Sequence, residues 1–158
     1  MSDEATEPPG ESGESDCRKA ALKYLSRREY ATVELCRKLR HKGFAAELCE
    51  AVITHLTEQD LISNRRYAEA VLRSKIRKGR GPARIRLQLE SSGVPKHIID
   101  EVLVTPEVDW QEQARLQVQK KYGEQQPESY KDWVKRARFL NNLGYSSDLI
   151  KNVIEFSG

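Results

Sequence analysis

Nine lysine and arginine residues are concentrated between Asn64 and Leu89, where Glu69 is the one acidic residue. The chemistry that such side chains offer is anion binding. A guanidinium group presents a planar fork of donors that suits carboxylates and phosphates alike, so the residue types leave the partner open. The stretch therefore predicts a binding surface for a polyanion or for an acidic protein surface.

Two amphipathic helices are predicted to position these cations. Gly79, Gly81 and Pro82 divide the stretch, and apolar residues recur at helical spacing on both sides of the division. The cations that lie away from the apolar stripes, or in the connection, form the candidate contact set. They are Arg66, Arg73, Arg77, Lys78, Arg80, Arg84 and Arg86. Arg65 is a candidate for supporting a domain junction instead.

Recognisable patterns for catalysis or metal binding are lacking. The segment Lys78–Gly81 is too short for a Walker-type phosphate loop, and no Ser-His-Asp or Cys-His motif occurs. Cys36 and His41 could be imagined as zinc ligands, but no second Cys-x-x-Cys or histidine pair supports them. Cys49 lies in an apolar stripe and is predicted to be a core residue. We expect a protein without enzymatic activity, cofactor, metal or disulfide framework.

Charge is distributed unevenly along the 158 residues. Residues 1–16 hold six acids and no base, which leaves +9 on the remainder of a chain whose net charge is +3. This acidic segment has too little apolar surface to offset its ordering entropy, so we expect a disordered tail.

No apolar run reaches the ~18 residues of a membrane span, and the N-terminus lacks the positive region of a signal peptide. These features predict a cytoplasmic protein with no membrane segment.

A repeat of about 50 residues organises the rest of the chain. Segments that begin at Gly43, Gly93 and Gly144 align without a gap, at offsets of 50 and 51 residues. In each copy the glycine is predicted to end a helix in the left-handed conformation, and the next apolar residue packs back on the last turn. Such a unit has room for three short helices that cannot bury their apolar stripe alone. We therefore predict an all-α fold of three tandem three-helix repeats in an elongated, curved array.

The boundaries of these elements follow the turn residues. After the tail at 1–16, the repeats are placed at 17–63, 64–104 and 105–158. Helices are predicted near 17–27, 32–42, 46–57, 64–78, 82–92, 95–104, 108–122, 128–143 and 147–156. Thr32 is predicted to cap the second helix. The aromatic residues Trp110, Tyr122, Trp133 and Phe139 are assigned to the core, with a platform for stacking on nucleic-acid bases as the alternative.

Several segments resemble the RecX family. They are Leu25-Ser-Arg-Arg-Glu-Tyr30, Glu34-Leu35, Lys38-Leu39, Lys42-Gly43-Phe44, Arg66-Tyr67-Ala68 and Arg77-Lys-Gly-Arg-Gly-Pro82, with Ile85, Leu89 and Gly93-Val94. The match covers residues 17–104 and, more weakly, the third repeat. The sequence departs from the family at Ser63 and Asn64, where acidic residues are frequent, and at Ala31, where serine is frequent.

The resemblance implies a fold and a function. Family members fold as tandem three-helix repeats and regulate the bacterial recombinase RecA. They lodge in the groove of the RecA–DNA filament and restrain ATP hydrolysis, strand exchange and co-protease activity, and DNA binding has also been associated with them. On this basis we expect a monomeric inhibitor of the RecA filament, active in DNA repair, homologous recombination and the SOS response, with single- or double-stranded DNA as a further ligand.

Three interpretations of the basic stretch stay open at this point. The first is a regulator that lies along a nucleoprotein filament, which the resemblance favours. The second is a stand-alone nucleic-acid-binding helical module whose arginines neutralise phosphates, which composition alone favours. The third is a solvated face with no partner.

Overall fold

The computed structural model describes residues 11–156, and the regular structure of that part of the chain is entirely helical. Its nine helices are α1 Glu11–Leu25, α2 Thr32–His41, α3 Ala46–Glu58, α4 Asn64–Arg77, α5 Pro82–Ser91, α6 Lys96–Leu103, α7 Trp110–Tyr122, α8 Tyr130–Leu143 and α9 Ser147–Val153. They form three successive three-helix repeats, which confirms the predicted all-α fold. None of these described helices has the length and apolar character that crossing a membrane requires.

The start of α1 differs from the prediction. The helix begins at Glu11, so residues 11–16 are helical and do not belong to a disordered tail. Two effects account for this. First, acidic residues in the first turns interact favourably with the positive end of the helix dipole. Second, Gly13 packs against Leu48: a Cβ atom added to Gly13 would lie 3.6 Å from the Leu48 Cδ2 atom. The remainder of the predicted tail, residues 1–10, lies outside the described residues.

The chain divides into two compact units, and the division falls within α4. The first unit comprises Met1–Tyr67 with Ser92–Val94, and its core is built by α1, α2 and α3. Apolar side chains of all three helices are completely buried there. They include Cys17, Leu35, Leu39, Cys49 and Leu56. The predicted assignment of Cys49 to the core is therefore confirmed.

The cap of α2 is provided by a residue distant in sequence. Thr32 was predicted to be the N-cap, but it is the first helical residue, and Ala31 at the N-cap position has no side chain that could accept. The Thr32 backbone N–H donates instead to Asn64 Oδ1 at 2.9 Å. Asn64 thus satisfies one of the donors that a helix start leaves unpaired, across 32 residues of sequence.

The second unit comprises Ala68–Ser91 and Pro95–Gly158. Ile85 and Leu89 of α5 and Ile99 of α6 are completely buried, as the apolar stripes predicted. The third repeat has its own cluster of buried residues, which includes Ala114, Leu140, Tyr145 and Ile150. Trp110, Tyr122, Trp133 and Phe139 pack against this cluster but are only partly buried.

The glycines of the repeat adopt the predicted conformation. The φ angles of Gly43, Gly93 and Gly144 are 107°, 79° and 106°, all in the region that residues with a Cβ atom rarely adopt. After α2 the Phe44 N–H donates to the Leu39 carbonyl oxygen at 3.3 Å, and after α8 the Tyr145 N–H donates to that of Leu140 at 3.1 Å. These are the bonds of a Schellman cap, so the predicted helix ends are confirmed in the first and third repeats.

Cys17 and Cys36 should be poor nucleophiles in the folded protein. Burial, reinforced by the nearby Cys49 thiol, raises the pKa of Cys17 from 9.0 to about 12, and burial also raises the pKa of Cys36. Because the thiolate is the reactive form, these raised pKa values keep both thiols protonated and unreactive at neutral pH. We expect Ellman's reagent to label Cys36, which is only half-buried, before the other two thiols, and to label all three quickly only in denaturant. Rapid labelling of all three thiols without denaturant would contradict the described core.

Candidate partner-binding surface

The seven predicted contact residues fall into two groups in the structure. Arg66 lies in the part of α4 that belongs to the first unit. The other six lie on the rest of α4, in the connection that follows it, and on α5, all within the second unit. The ionic contacts of each residue decide which of them remain available to a partner.

Arg66 is occupied by contacts within its own unit. Its Nε atom donates to Glu29 Oε1 at 3.2 Å, and its terminal nitrogens donate to Asp60 Oδ1 at 2.9 Å and to the Asp60 carbonyl oxygen at 2.7 Å. The hydrogen bond to the Asp60 side chain is the main cause of the raised pKa of Arg66. Asp60 follows Gln59, the C-cap residue of α3, and has a φ angle of 56°. The arginine therefore holds the turn between α3 and α4 together. Arg66 therefore supports the connection between α3 and α4.

Arg86 is also paired. Its Nη2 atom donates to Asp100 Oδ1 at 2.7 Å, and this bond joins α5 to α6. About a third of the Arg86 side chain remains exposed. The arginine contributes positive charge to the surface, but its carboxylate partner offsets much of it.

The remaining cations form a group that we call the basic cluster: Lys75, Arg77, Lys78, Arg80 and Arg84. No ion pair joins any of these five to an acid within residues 11–156. Arg73, exposed and also unpaired, lies one turn before Arg77 on α4. Neither α4 nor α5 has an acidic residue in its first turn. The arrangement leaves a concentrated positive charge that no acid among the described residues neutralises.

Lys75 is the member of this cluster that the sequence analysis missed. Its pKa is lowered, first by partial burial and then by the positive charges of Lys78, Arg80 and Arg84. The sequence contained a usable signal, because Lys75 precedes Lys78 by three residues and therefore shares its side of α4.

Backbone hydrogen bonds fix the segment that carries the basic cluster. The Gly81 N–H donates to the Leu143 carbonyl oxygen at 2.6 Å, and the Ala83 N–H donates to the Gly144 carbonyl oxygen at 3.0 Å. The carbonyl groups at the end of α8 therefore satisfy donors at the start of α5. We call this arrangement the α5–α8 clasp.

The clasp requires glycine on both sides. A Cβ atom on Gly81 would lie 2.5 Å from the carbonyl carbon and oxygen of Gly144, and a Cβ atom on Gly144 would lie 2.8 Å from the backbone nitrogen of Arg84. The two backbones thus approach more closely than any other residue type permits. Gly79 is likewise covered, by the side chain of Gln117 on α7.

Removing the charge of Lys75 should stabilise the protein slightly. Because the folded state lowers the pKa of this lysine, its protonated form disfavours folding at neutral pH. We expect Lys75→Met to raise the melting temperature by about 1–2 °C at low salt, since relief of partly exposed repulsion is worth a few tenths of a kcal/mol. The gain should shrink as the pH rises through the lowered pKa of the lysine. Lys19→Met, at an exposed position on α1, serves as the control; an equal gain in both variants would show that net charge alone is responsible.

Comparisons by sequence and by structure both find RecX proteins. Family models for the first, second and third RecX three-helix domains match residues 17–56, 63–103 and 107–154. The regulatory protein RecX of Pseudomonas fluorescens is 40% identical over 141 residues, which are 89% of this chain and 91% of the relative. That of Halorhodospira halophila is 37% identical over 134 residues, which are 85% and 83% of the two chains.

Solved structures agree with these sequence matches. The crystal structure of RecX from Lactobacillus salivarius superposes with a TM-score of 0.76 at 26% identity, covering 90% of this chain and 94% of the other. A second structure, of a regulatory protein RecX, has a TM-score of 0.75 at 28% identity and covers 89% and 72% of the two chains. The family model of the third domain extends the match to the repeat where the resemblance was weakest. With all three domains matched in order along the chain, the protein belongs to the RecX family of regulatory proteins.

Proposed function

We propose that the protein is a non-enzymatic inhibitor of the RecA recombinase, which it contacts in the groove of the RecA–DNA filament. Arg73, Arg77, Lys78, Arg80 and Arg84 make the contact, and Arg86 contributes at its margin. By occupying the groove the protein restrains ATP hydrolysis, strand exchange and co-protease activity. It acts as a monomer in the cytoplasm, in DNA repair, homologous recombination and the SOS response.

The observation that carries the proposal is the unneutralised basic cluster held by the α5–α8 clasp. Five cations without an ion pair among residues 11–156 are costly to keep together, as the lowered pKa of Lys75 indicates. A filament groove offers acidic side chains and DNA phosphates, and guanidinium groups bind both. Membership of a regulatory family supports this assignment over a solvated face.

The test is ATP hydrolysis by RecA on single-stranded DNA, measured with and without the protein over a range of salt concentrations. We expect dose-dependent inhibition that weakens as salt rises, because exposed charges are screened over about 8–10 Å at ordinary ionic strength. The protein alone should hydrolyse no ATP. Undiminished RecA activity at saturating protein would overturn the proposal.

A stand-alone nucleic-acid-binding module is the second candidate, because the same cations would neutralise phosphates. Pull-down of RecA filaments and of bare DNA at matched salt separates the two. If the protein binds RecA filaments more strongly than bare DNA, the result supports the proposed regulator of RecA. Equal binding to both, with a steep dependence on salt and no effect on RecA, supports the module.

A further inference from the structure

An apolar side chain lies on the exposed face of α5, within the surface that carries the basic cluster. Leu87 is 66% exposed, whereas Ile85 and Leu89, two residues before and two residues after it, are completely buried. Successive residues of an α-helix are about 100° apart around the helix axis, so Leu87 lies on the side opposite these two core residues. Leu87 therefore contributes little to the core of the second unit.

The neighbours of Leu87 on this face are small or positively charged. Ala83 and Arg84 precede it by four and three residues, so both lie beside it on the helix surface, and both are exposed. The pKa of Lys75 is lowered by partial burial and then by nearby charges that include Arg84, so Arg84 adjoins the rest of the basic cluster. Glu90 is the one acid of α5. An apolar residue thus lies at the edge of a strongly positive surface.

We propose that Leu87 is the apolar anchor of the contact with RecA, and that it enters an apolar depression of the RecA protein surrounded by acidic side chains. The basic cluster supplies the charged border of this contact. The inference rests on the proposed function and adds the chemistry of the partner: at α5 the protein contacts RecA itself rather than DNA.

The composition of this surface favours a protein partner. A single exposed leucine is an ordinary feature of a protein surface. A leucine beside arginines, however, has the composition of a protein–protein interface, where an apolar centre excludes water and arginine is enriched. Most contacts that a protein makes with DNA go to phosphates and sugars, and these are made by charged and polar groups, to which a leucine side chain adds nothing.

The fold does not require leucine at this position. Alanine and leucine are both strong helix formers, and substitutions of exposed residues change stability little. We therefore expect Leu87→Ala to have the helix content and the melting temperature of the parent. This makes the leucine a position where binding can be tested without a loss of folding.

The experiment compares two substitutions at Leu87 with the same substitutions at Val104. Leu87→Ala removes the apolar side chain, and Leu87→Lys replaces it by a cation. Val104→Ala and Val104→Lys serve as controls at the C-cap of α6, where the valine is 78% exposed. Two quantities are measured for each variant. One is the concentration that gives half-maximal inhibition of RecA ATP hydrolysis, and the other is the affinity for oligo(dT) and for a DNA duplex without RecA.

Leu87→Ala should raise the half-maximal concentration at least five-fold, because less apolar surface is removed from water on binding. Its affinity for both DNA molecules should match that of the parent, and so should the salt dependence of its inhibition, since no charge has changed. Both Val104 variants should inhibit as well as the parent.

Leu87→Lys separates an apolar contact from a contact made by charge alone. Another cation would strengthen a contact that depends only on charge, whereas an apolar depression excludes a lysine ammonium group. We therefore expect Leu87→Lys to inhibit at least ten-fold more weakly than the parent. The same variant should bind bare DNA at least as tightly as the parent, because its positive charge is greater.

Four results would overturn the inference. Inhibition by Leu87→Lys that equals or exceeds that of the parent would show that charge alone makes the contact. Weaker DNA binding by Leu87→Ala would show that the leucine contacts nucleic acid. An equal loss in Val104→Ala would show that the effect is not specific to α5, and a lower melting temperature of Leu87→Ala would assign its loss to folding.

Failure of the proposed function has a different signature. In that case the parent itself would leave RecA activity undiminished, and the inference would fall with it. If instead the parent inhibits RecA and Arg77→Glu weakens the inhibition, but Leu87→Ala inhibits like the parent, the inference alone is contradicted.

Discussion

Replacing Arg77, Lys78 and Arg84 by glutamate together should abolish inhibition of RecA while leaving the protein folded. All three side chains are exposed and lie outside the apolar stripes of α4 and α5, so helix content by circular dichroism should match that of the parent. Each change converts attraction into repulsion at the proposed contact surface, and like-charge juxtaposition in an interface costs several kcal/mol. We therefore expect the concentration for half-maximal inhibition of RecA ATP hydrolysis to rise by at least a hundred-fold.

Two controls separate this effect from a change in net charge. Glutamine at the same three positions removes attraction without adding repulsion, so it should weaken inhibition less. Lys19→Glu, Lys23→Glu and Arg27→Glu, at exposed positions of the first unit, make the same change in charge away from the basic cluster and should inhibit nearly as well as the parent. If the folded triple mutant inhibits as strongly as the parent, the basic cluster is not the contact surface.

Gly144→Ala should destabilise the protein by about 2–5 kcal/mol, which is large for the addition of one methyl group. Two costs combine at this residue. Its φ angle of 106° is unfavourable for alanine by about 1–2 kcal/mol. The new Cβ atom would also lie 2.8 Å from the backbone nitrogen of Arg84, and overpacking costs about 1–3 kcal/mol. Chemical denaturation followed by circular dichroism measures the loss.

Two further glycines isolate these costs. Gly43 has a φ angle of 107°, and no atom lies within 4 Å of the position of an added Cβ atom. Gly43→Ala should therefore lower the free energy of unfolding only by the cost of the backbone conformation, about 1–2 kcal/mol. Gly81 does not have the left-handed conformation, but a Cβ atom added to it would lie 2.5 Å from the Gly144 carbonyl group. The loss of stability in Gly81→Ala should therefore come mainly from this close contact. Equal losses for Gly43→Ala and Gly144→Ala would mean that the clasp adds no constraint of its own.

Most of the fold could be predicted because the sequence marks its helix ends. Glycine or proline stands at many of the predicted boundaries, among them Gly43, Pro82 and Gly144. The predicted starts of α2, α3, α4, α5 and α9 agree with the structure. The start of α1 was missed because Glu, Ser and Gly are typical of disordered segments, although acids also favour the first turn of a helix. The cap of α2 was missed because its acceptor, Asn64, is 32 residues away, and contacts of that range leave no local pattern.

The site was predicted less completely than the fold, for a related reason. Composition identified the basic stretch, but the pairing of Arg66 with Glu29 depends on a contact across 37 residues. Trp133 and Phe139 were assigned to the core, and the structure shows both rings packed against it but only partly buried.

The α5–α8 clasp also has a consequence for synthesis of the protein. A ribosome releases the chain in order, and Gly144 follows Gly81 by 63 residues. Until the third repeat has emerged, the N–H groups of Gly81 and Ala83 lack the carbonyl partners that they have in the finished protein. A nascent or prematurely terminated chain would therefore display the positive charge on an unfixed segment. Emergence of the third repeat then supplies the carbonyl groups that fix this segment.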